Sequence, residues 1–255
     1  MNRTTIAWCT HTSNPIYAVL KGDGKRGWAC VKLTEGCRNC YASAMNVMRG
    51  TGLPFDQASM AQVEFVLSTA EIEKWMAMKK PAKVFLMDMG DMFLREISDQ
   101  LILTVLMAVG QAKQHIFMVL TKRPLRMRNF QQEYFPEGFP PNVWVGTSVE
   151  GAEVAPRIDI LRGVKVRSGV RFVSNEPALS RLGRVDLSGI SWVITGGESG
   201  PHHRPMPLDW AREVRDICIE RGVAWFFKQS GGLRPGGDGV LDGRVWREWP
   251  KAGAT

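Results

Sequence analysis

From residue 83 onward one pattern recurs along the chain. A short apolar run rich in Val, Ile, Phe or Trp stops abruptly at polar or charged residues, and a longer segment follows. The runs are VFLMDMGD from Val84, IFMVLTKRP from Ile116, VWVGTSVE from Val143, VRFVSNEP from Val170, WVITGGESG from Trp192 and VAWFFKQ from Val223. Their starts lie roughly 20 to 35 residues apart, the length of a strand plus a crossover helix. The segments between them read as helices. SDQLILTVLMAVGQAKQ opens on Ser98 as N-cap, with Leu101, Ile102, Val105, Leu106 and Val109 at helical spacing. LDWAREVRDICIERG has Asp209 as its expected N-cap, an apolar face of Trp210, Val214, Ile217 and Cys218, and Gly222 as its stop. The segment from Ala58 to Lys80 reads as a further helix, ending before Pro81.

Near-continuous apolar strands alternating with helices predict an α/β fold with a parallel sheet covered by helices. The candidates are a partial or near-complete (β/α) barrel and an open doubly wound sheet. The strand ends favour the barrel. Asp88 and Asp91, Thr121 to Arg123, Thr147 to Glu150, Ser174 to Glu176, Gly196 to Glu198, and Lys228 with Gln229 all lie at the ends of the runs. A barrel gathers every such end around one mouth, whereas an open sheet uses mainly those at its switch point. Ser148 and Ser174 suit a turn as well as a site. Long charged side chains such as Lys122, Arg123, Glu150, Glu176 and Glu198 are not needed to turn a chain. The expectation is one domain over residues 1–255, with a cysteine loop at about 28–42 and an irregular C-terminal extension from about 229.

The chain carries 33 Lys and Arg against 25 Asp and Glu, a net charge of +8. That balance favours a polyanionic partner, a nucleic acid or nucleotide. No apolar stretch is long enough to span a bilayer and the N-terminus lacks the long apolar segment of a signal peptide, so a soluble, cytoplasmic protein without a membrane partner is expected. In that compartment thiols stay reduced, and clustered cysteines point to metal or catalysis.

Three of the five cysteines fall in CVKLTEGCRNCYA, as Cys30, Cys37 and Cys40. The two-residue gap of CRNC lets both sulfurs reach one metal centre, as in zinc and iron–sulfur sites. A closed zinc site would need a fourth donor, from Cys9, His11, His202 or His203. An iron–sulfur cluster on three thiolates would leave one iron open to a small molecule, and thiols without a metal are the third reading. Cys218, on an apolar helix face, reads as a buried small hydrophobe, and His115, just before a strand, as structural. SGGLRPGGDG, from Ser230, reads as a surface loop.

The chain also resembles a known family. EGCRNCYA, together with SNP at Ser13, TKRP at Thr121, WVGTSVE at Trp144, FVSNEP at Phe172, WVITGGESGP at Trp192, FFKQSGG at Phe226 and LDGRVWREWP at Leu241, is similar to the phage- and prophage-associated three-cysteine-motif family. That family is radical-SAM-like. The resemblance implies a radical-SAM type (β/α) barrel and a 4Fe-4S cluster on Cys30, Cys37 and Cys40. It further implies cleavage of S-adenosylmethionine to a 5′-deoxyadenosyl radical, and an electron donor protein as partner. The array has six residues between its first two cysteines where the wider superfamily commonly has three, and Tyr41 follows the last cysteine where an aromatic residue usually precedes it. A Gly-Gly-Glu triplet usually follows the second strand in that superfamily. Here it falls at Gly196 to Glu198, so Asp88 or Asp91 is the expected holder of the cofactor amine, with Ser148, Glu150, Asn175 and Tyr41 as further cofactor candidates. Lys122, Arg123, Glu176, Glu198 and Lys228 are the substrate or catalytic candidates. Gly196 and Gly197 could also form an amide nest for an anion. The substrate class implied is a nucleobase in a nucleotide or nucleic acid, modified or repaired. The alternative is a non-catalytic nucleic-acid-binding metalloprotein, its structural zinc or iron–sulfur site closed by Cys9 or a histidine.

Overall fold

Strand pairing follows the apolar runs. The computed structural model describes residues 1–234 and 239–251, and the chain divides into two units, Met1–Thr4 with Cys9–Leu120, and Thr5–Trp8 with the chain from Thr121 on.

The first unit opens with β1 (Asn2–Arg3), β2 (His11–Ser13), β3 (Ile16–Leu20) and β4 (Arg26–Gly27). Then come α1 (Tyr41–Arg49), α2 (Gln57–Met60), β5 (Val63–Leu67) and α3 (Thr69–Ala77). It closes with β6 (Lys83–Leu86), α4 (Asp99–Gln111) and β7 (Ile116–Thr121). The main strands stand in the order β1, β2, β6, β7, with β1 antiparallel to β2 and the rest parallel. The stretch from Ala58 to Lys80 is not one helix. Val63 to Leu67 forms a strand between two shorter helices, because its Val, Phe and Val pair antiparallel with Ile16 to Leu20 in a separate three-stranded sheet. Ser98 caps α4 as expected, its hydroxyl accepting from the Leu101 amide at 3.4 Å.

The second unit runs α5 (Pro124–Tyr134), β8 (Val143–Ser148), α6 (Arg157–Arg162) and β9 (Arg171–Asn175). It continues with β10 (Trp192–Gly196), α7 (Leu208–Arg221), β11 (Ala224–Gln229), and a hairpin of β12 (Val240–Leu241) and β13 (Arg244–Val245). Strands β8, β9, β10 and β11 are neighbours in sequence order and parallel. Pro207, not Asp209, precedes α7, and Asp209 lies in its first turn, where a carboxylate still suits the helix dipole. Gly222 ends α7 at φ 65°, a left-handed turn that glycine adopts without strain. The C-terminal segment is partly regular, through the hairpin. Residues 235–238 of the expected surface loop lie outside the described residues.

The α/β expectation holds: the eight-stranded sheet is mostly parallel and its strands alternate with helices, while the separate three-stranded sheet of the first unit is antiparallel. Neither unit reverses its strand order, the reversal on which a doubly wound sheet depends. No described helix is long and apolar enough to cross a membrane.

In the first core, Trp75 is fully buried, stands edge-on to Phe117, and donates its indole N–H to the Ser13 hydroxyl at 2.9 Å. His115 is buried there, with Nε2 3.0 Å from the Trp75 carbonyl, as its structural reading predicts. In the second core, Trp192 gathers Trp8, Trp144, Phe172, Phe226 and Trp249 around it. Gly146 of β8 pairs with Phe172, and a Cβ there would lie 2.5 Å from the Phe172 ring. Gly146→Ala is therefore expected to destabilise by about 1–3 kcal/mol through overpacking, read as a lower denaturation midpoint; an unchanged midpoint would show that the ring can yield.

Candidate metal centre

All five cysteines are thiols, with none in a disulfide. Cys9 and Cys218 are buried, while Cys30, Cys37 and Cys40 are half-buried. Burial, aided by the charge of Glu248, pushes the Cys218 thiol up to about 12, in keeping with an inert core residue. Cys37 ends a single 3-10 turn, Glu35–Cys37, and Cys40 is the N-cap of α1, where the first-turn amides favour a negative ligand. Cys30 and Cys40 pack, with Trp28 and Met45, against the buried cluster of Ala42, Phe55 and Met89. Two of the three thiols thus share one apolar wall.

Asn46, on the inner face of α1 and fully buried, fixes the approach to that loop. Its Oδ1 accepts from the amides of Trp28 at 2.8 Å and Thr51 at 3.1 Å. Its Nδ2 donates to the Thr51 hydroxyl and to the Leu53 carbonyl, both at 2.8 Å. These contacts meet the full bonding capacity of the amide. Gly27 and Gly50 press against it: a Cβ on Gly27 would lie 2.6 Å from Asn46 Oδ1, and one on Gly50 2.0 Å. Asn46 therefore ties the strand-side residue Trp28, two before Cys30, to the helix that starts after Cys40.

The tip of β6 reaches the same place. Asp88 Oδ1 accepts from Asn14 Nδ2 at 2.7 Å, Asn14 Oδ1 accepts from the Met89 amide at 3.1 Å, and the Tyr41 hydroxyl donates to the Asp88 carbonyl at 2.7 Å. Met87, just before it, is held at φ 60°, a strained conformation for a residue with a side chain. Burial raises the Asp88 carboxyl above its ordinary value, against the opposing hydrogen bonds of Asn14 and Thr12. Cys30, Cys40, Tyr41 and Asp88 are thus brought together. Asp91 is used locally: it is buried and its Oδ1 accepts from the Phe93 amide at 2.9 Å. Asn14 was missed as a site residue, although an Asn directly after a short strand and before Pro15 was visible.

Among the described residues, no three or more His, Cys, Asp and Glu converge on a point that could hold a single metal ion. A polynuclear cluster asks for a different arrangement, with each thiolate on its own iron, and three half-buried thiols on one loop are its donor chemistry.

In the second unit the strand-tip candidates are drawn into ion pairs. Glu150 is buried and pairs with Lys122 and with Arg157, the latter at 3.0 Å. Ser148, also buried, offers its carbonyl to Arg157 at 2.8 Å, and Asn175 donates to the Val149 carbonyl at 2.8 Å. Arg123 is the N-cap of α5, its amide donating to the Thr121 hydroxyl at 2.9 Å. Glu176 has one oxygen 2.9 Å from Lys228 Nζ, and the other accepts from Trp8 Nε1 at 3.1 Å and the Ser174 hydroxyl at 3.2 Å. A Cβ on Gly196 would lie 2.9 Å from Glu176 Oε1, so this glycine makes room for the pair. Glu198 is buried and bound by the Arg204 guanidinium and amide. The Gly197 amide donates to the Gln229 carbonyl at 2.9 Å and so is spent on the sheet rather than on an anion nest.

One family model, described as a protein of unknown function (DUF5131), matches residues 3–250. No curated protein and no solved structure matches the chain.

Asn46→Ala leaves buried backbone groups without partners and is expected to lower stability by about 1–3 kcal/mol. Asn46→Asp, whose second carboxylate oxygen would face the Leu53 carbonyl where Nδ2 now donates, should destabilise at least as much at pH 7; equal unfolding temperatures for all three proteins would contradict the clamp. For Asp88, a raised carboxyl value means that its ionised form weakens the fold as pH climbs through that value, with no penalty below the ordinary carboxylate range. Asp88→Asn is expected to raise the unfolding temperature at pH 7 and to match the parent near the fully protonated limit. Parallel curves across that range would refute the burial penalty.

Proposed function

The chain belongs to the DUF5131 family over nearly its whole length, and we propose that it is a radical-SAM-like iron–sulfur enzyme whose Cys30, Cys37 and Cys40 hold a 4Fe-4S cluster. The observation that carries this reading is the meeting of the cysteine loop with the β6 tip: Cys30 and Cys40 share an apolar wall with Met89, and Tyr41 binds the neighbouring Asp88. Thiolates beside a dry wall suit a cluster that must be shielded from water. Held by Cys30, Cys37 and Cys40, such a cluster when reduced would supply one electron for the reductive cleavage of S-adenosylmethionine at its sulfonium, giving methionine and a 5′-deoxyadenosyl radical.

The chain's own residues bind and orient. Asp88, held by Asn14, is the carboxyl group assigned to the cofactor's ammonium, and Tyr41 fixes the backbone that presents it. The raised Asp88 carboxyl is consistent with a buried group awaiting a cation. In the second unit Lys228, oriented by Glu176, is the group assigned to the substrate. The net charge of +8 supports a nucleotide or nucleic acid substrate. A base within a duplex would have to leave the stack to react.

The test is anaerobic reconstitution with iron and sulfide, followed by EPR of the reduced protein with and without S-adenosylmethionine. The expected result is a cluster signal that the cofactor shifts, lost when Cys30, Cys37 or Cys40 is replaced by Ala. Stoichiometric zinc without iron would overturn the reading in favour of a structural metal site.

A further inference from the structure

At the tip of β8, within the second unit, the guanidinium of Arg157 is held firmly but only partly used. Its Nη1 donates to the Ser148 carbonyl at 2.8 Å and to Glu150 Oε2 at 3.0 Å, which spends both hydrogens of that nitrogen. Among the described residues Nε and Nη2 meet no acceptor. Neither is among the buried polar atoms that lack a bond, so both reach solvent. These two nitrogens form the side edge of the guanidinium, whose parallel N–H groups match two oxygens of one oxyanion. The side chain is only 11% exposed, so it does not serve merely to wet a surface. Nor does Glu150 depend on it alone, because Lys122 already supplies a cation to Oε1.

The frame around this edge is fixed. The Val149 amide donates to the Ser174 carbonyl at 2.9 Å, and the Val149 carbonyl accepts from Asn175 Nδ2 at 2.8 Å. The Glu150 carbonyl accepts from the Leu179 amide at 2.8 Å, and the Ala152 amide donates to the Arg181 carbonyl at 3.1 Å. Asp159, two residues beyond Arg157, is taken by Arg162. A guanidinium oriented by two acceptors on a pinned backbone binds an anion without the ordering cost that a mobile surface arginine incurs.

We propose that the Nε and Nη2 edge of Arg157 is a phosphate subsite, which receives a phosphate group of the nucleotide or nucleic acid substrate. The inference rests on the proposed function only for the choice of phosphate, to which the net charge of +8 also points. The open edge itself owes nothing to the cysteines. A carboxylate would fit the same fork, so S-adenosylmethionine, through its methionyl carboxylate, is the competing occupant.

The probes are inorganic phosphate, the common ribonucleoside 5′-monophosphates, their nucleosides, a single-stranded oligonucleotide and S-adenosylmethionine, each titrated against the full chain at low salt. The Arg157 Nε–H resonance, identified by its loss in Arg157→Lys, is expected to shift with phosphate and with at least one nucleotide probe. Arg157→Lys keeps a cation beside Glu150 but lacks the fork, and is expected to weaken that nucleotide about tenfold. In the unaltered protein the matching nucleoside is expected to bind about tenfold more weakly than its monophosphate, a comparison that needs no variant. Equal binding of nucleoside and monophosphate, or an Nε–H signal that no phosphate compound moves, would overturn the proposal. So would S-adenosylmethionine moving that signal in place of the phosphate compounds. Inorganic phosphate moving it while no nucleotide or oligonucleotide does would keep the subsite and sink the nucleotide reading instead.

Discussion

Every residue of β8 and of β10 is buried, and strands in that position can tolerate little but apolar side chains along their length. Charge is then confined to the point where the strand stops. That constraint orders much of the molecule. It makes the strands visible as unbroken apolar runs, and it stations Glu150, Glu176 and Glu198 just beyond β8, β9 and β10. Because those positions border a core, each carboxylate needs a cation to be tolerated, and each has one: Lys122 with Arg157, Lys228, and Arg204.

The two units solve the problem of their strand tips differently. In the second, opposite charges face each other, so the tips are largely self-neutralised. In the first, Asp88 meets an amide and hydroxyls instead, Asn14, Thr12 and, through its backbone, Tyr41. A carboxyl balanced only by neutral groups keeps a demand for positive charge that a paired one has lost. This contrast supports the proposal that Asp88, rather than a paired carboxylate of the second unit, receives the cofactor's ammonium.

Much of the fold was legible because β-strands buried on both faces leave a strong compositional trace. Ser98 and Gly222 were equally plain, since capping is local and written within a few residues. The segment after Ala58 misled because Val63 to Leu67 is short and its partner, Ile16 to Leu20, lies more than forty residues earlier; pairing of that range leaves no periodicity to read. Pro207 displaced Asp209 by one or two residues, an ordinary uncertainty of helix ends. The cysteines were found by spacing, but Asn14 and Asn46 were not. Their partners, Asp88 and Trp28, are remote in sequence, and an amide side chain declares nothing about what it will bond until the chain is folded. The strand-tip carboxylates, and Lys122 and Lys228 among their cations, were legible as residues, while which cation neutralises which carboxylate became apparent only in three dimensions.

The arrangement around Asn46 also governs how this part of the chain can change over generations. Gly27 and Gly50 lack the atoms that would strike it, and it in turn fills the space they leave. None of the three can drift alone: a side chain at either glycine expels the amide, and a smaller residue in place of the amide strands the polar groups it serves. Lys32 and Leu33, a few residues away and exposed, carry no such mutual dependence. Inherited variation should therefore be frozen as a trio at Gly27, Asn46 and Gly50, and loose at exposed positions such as Lys32 and Leu33, which no such clamp holds.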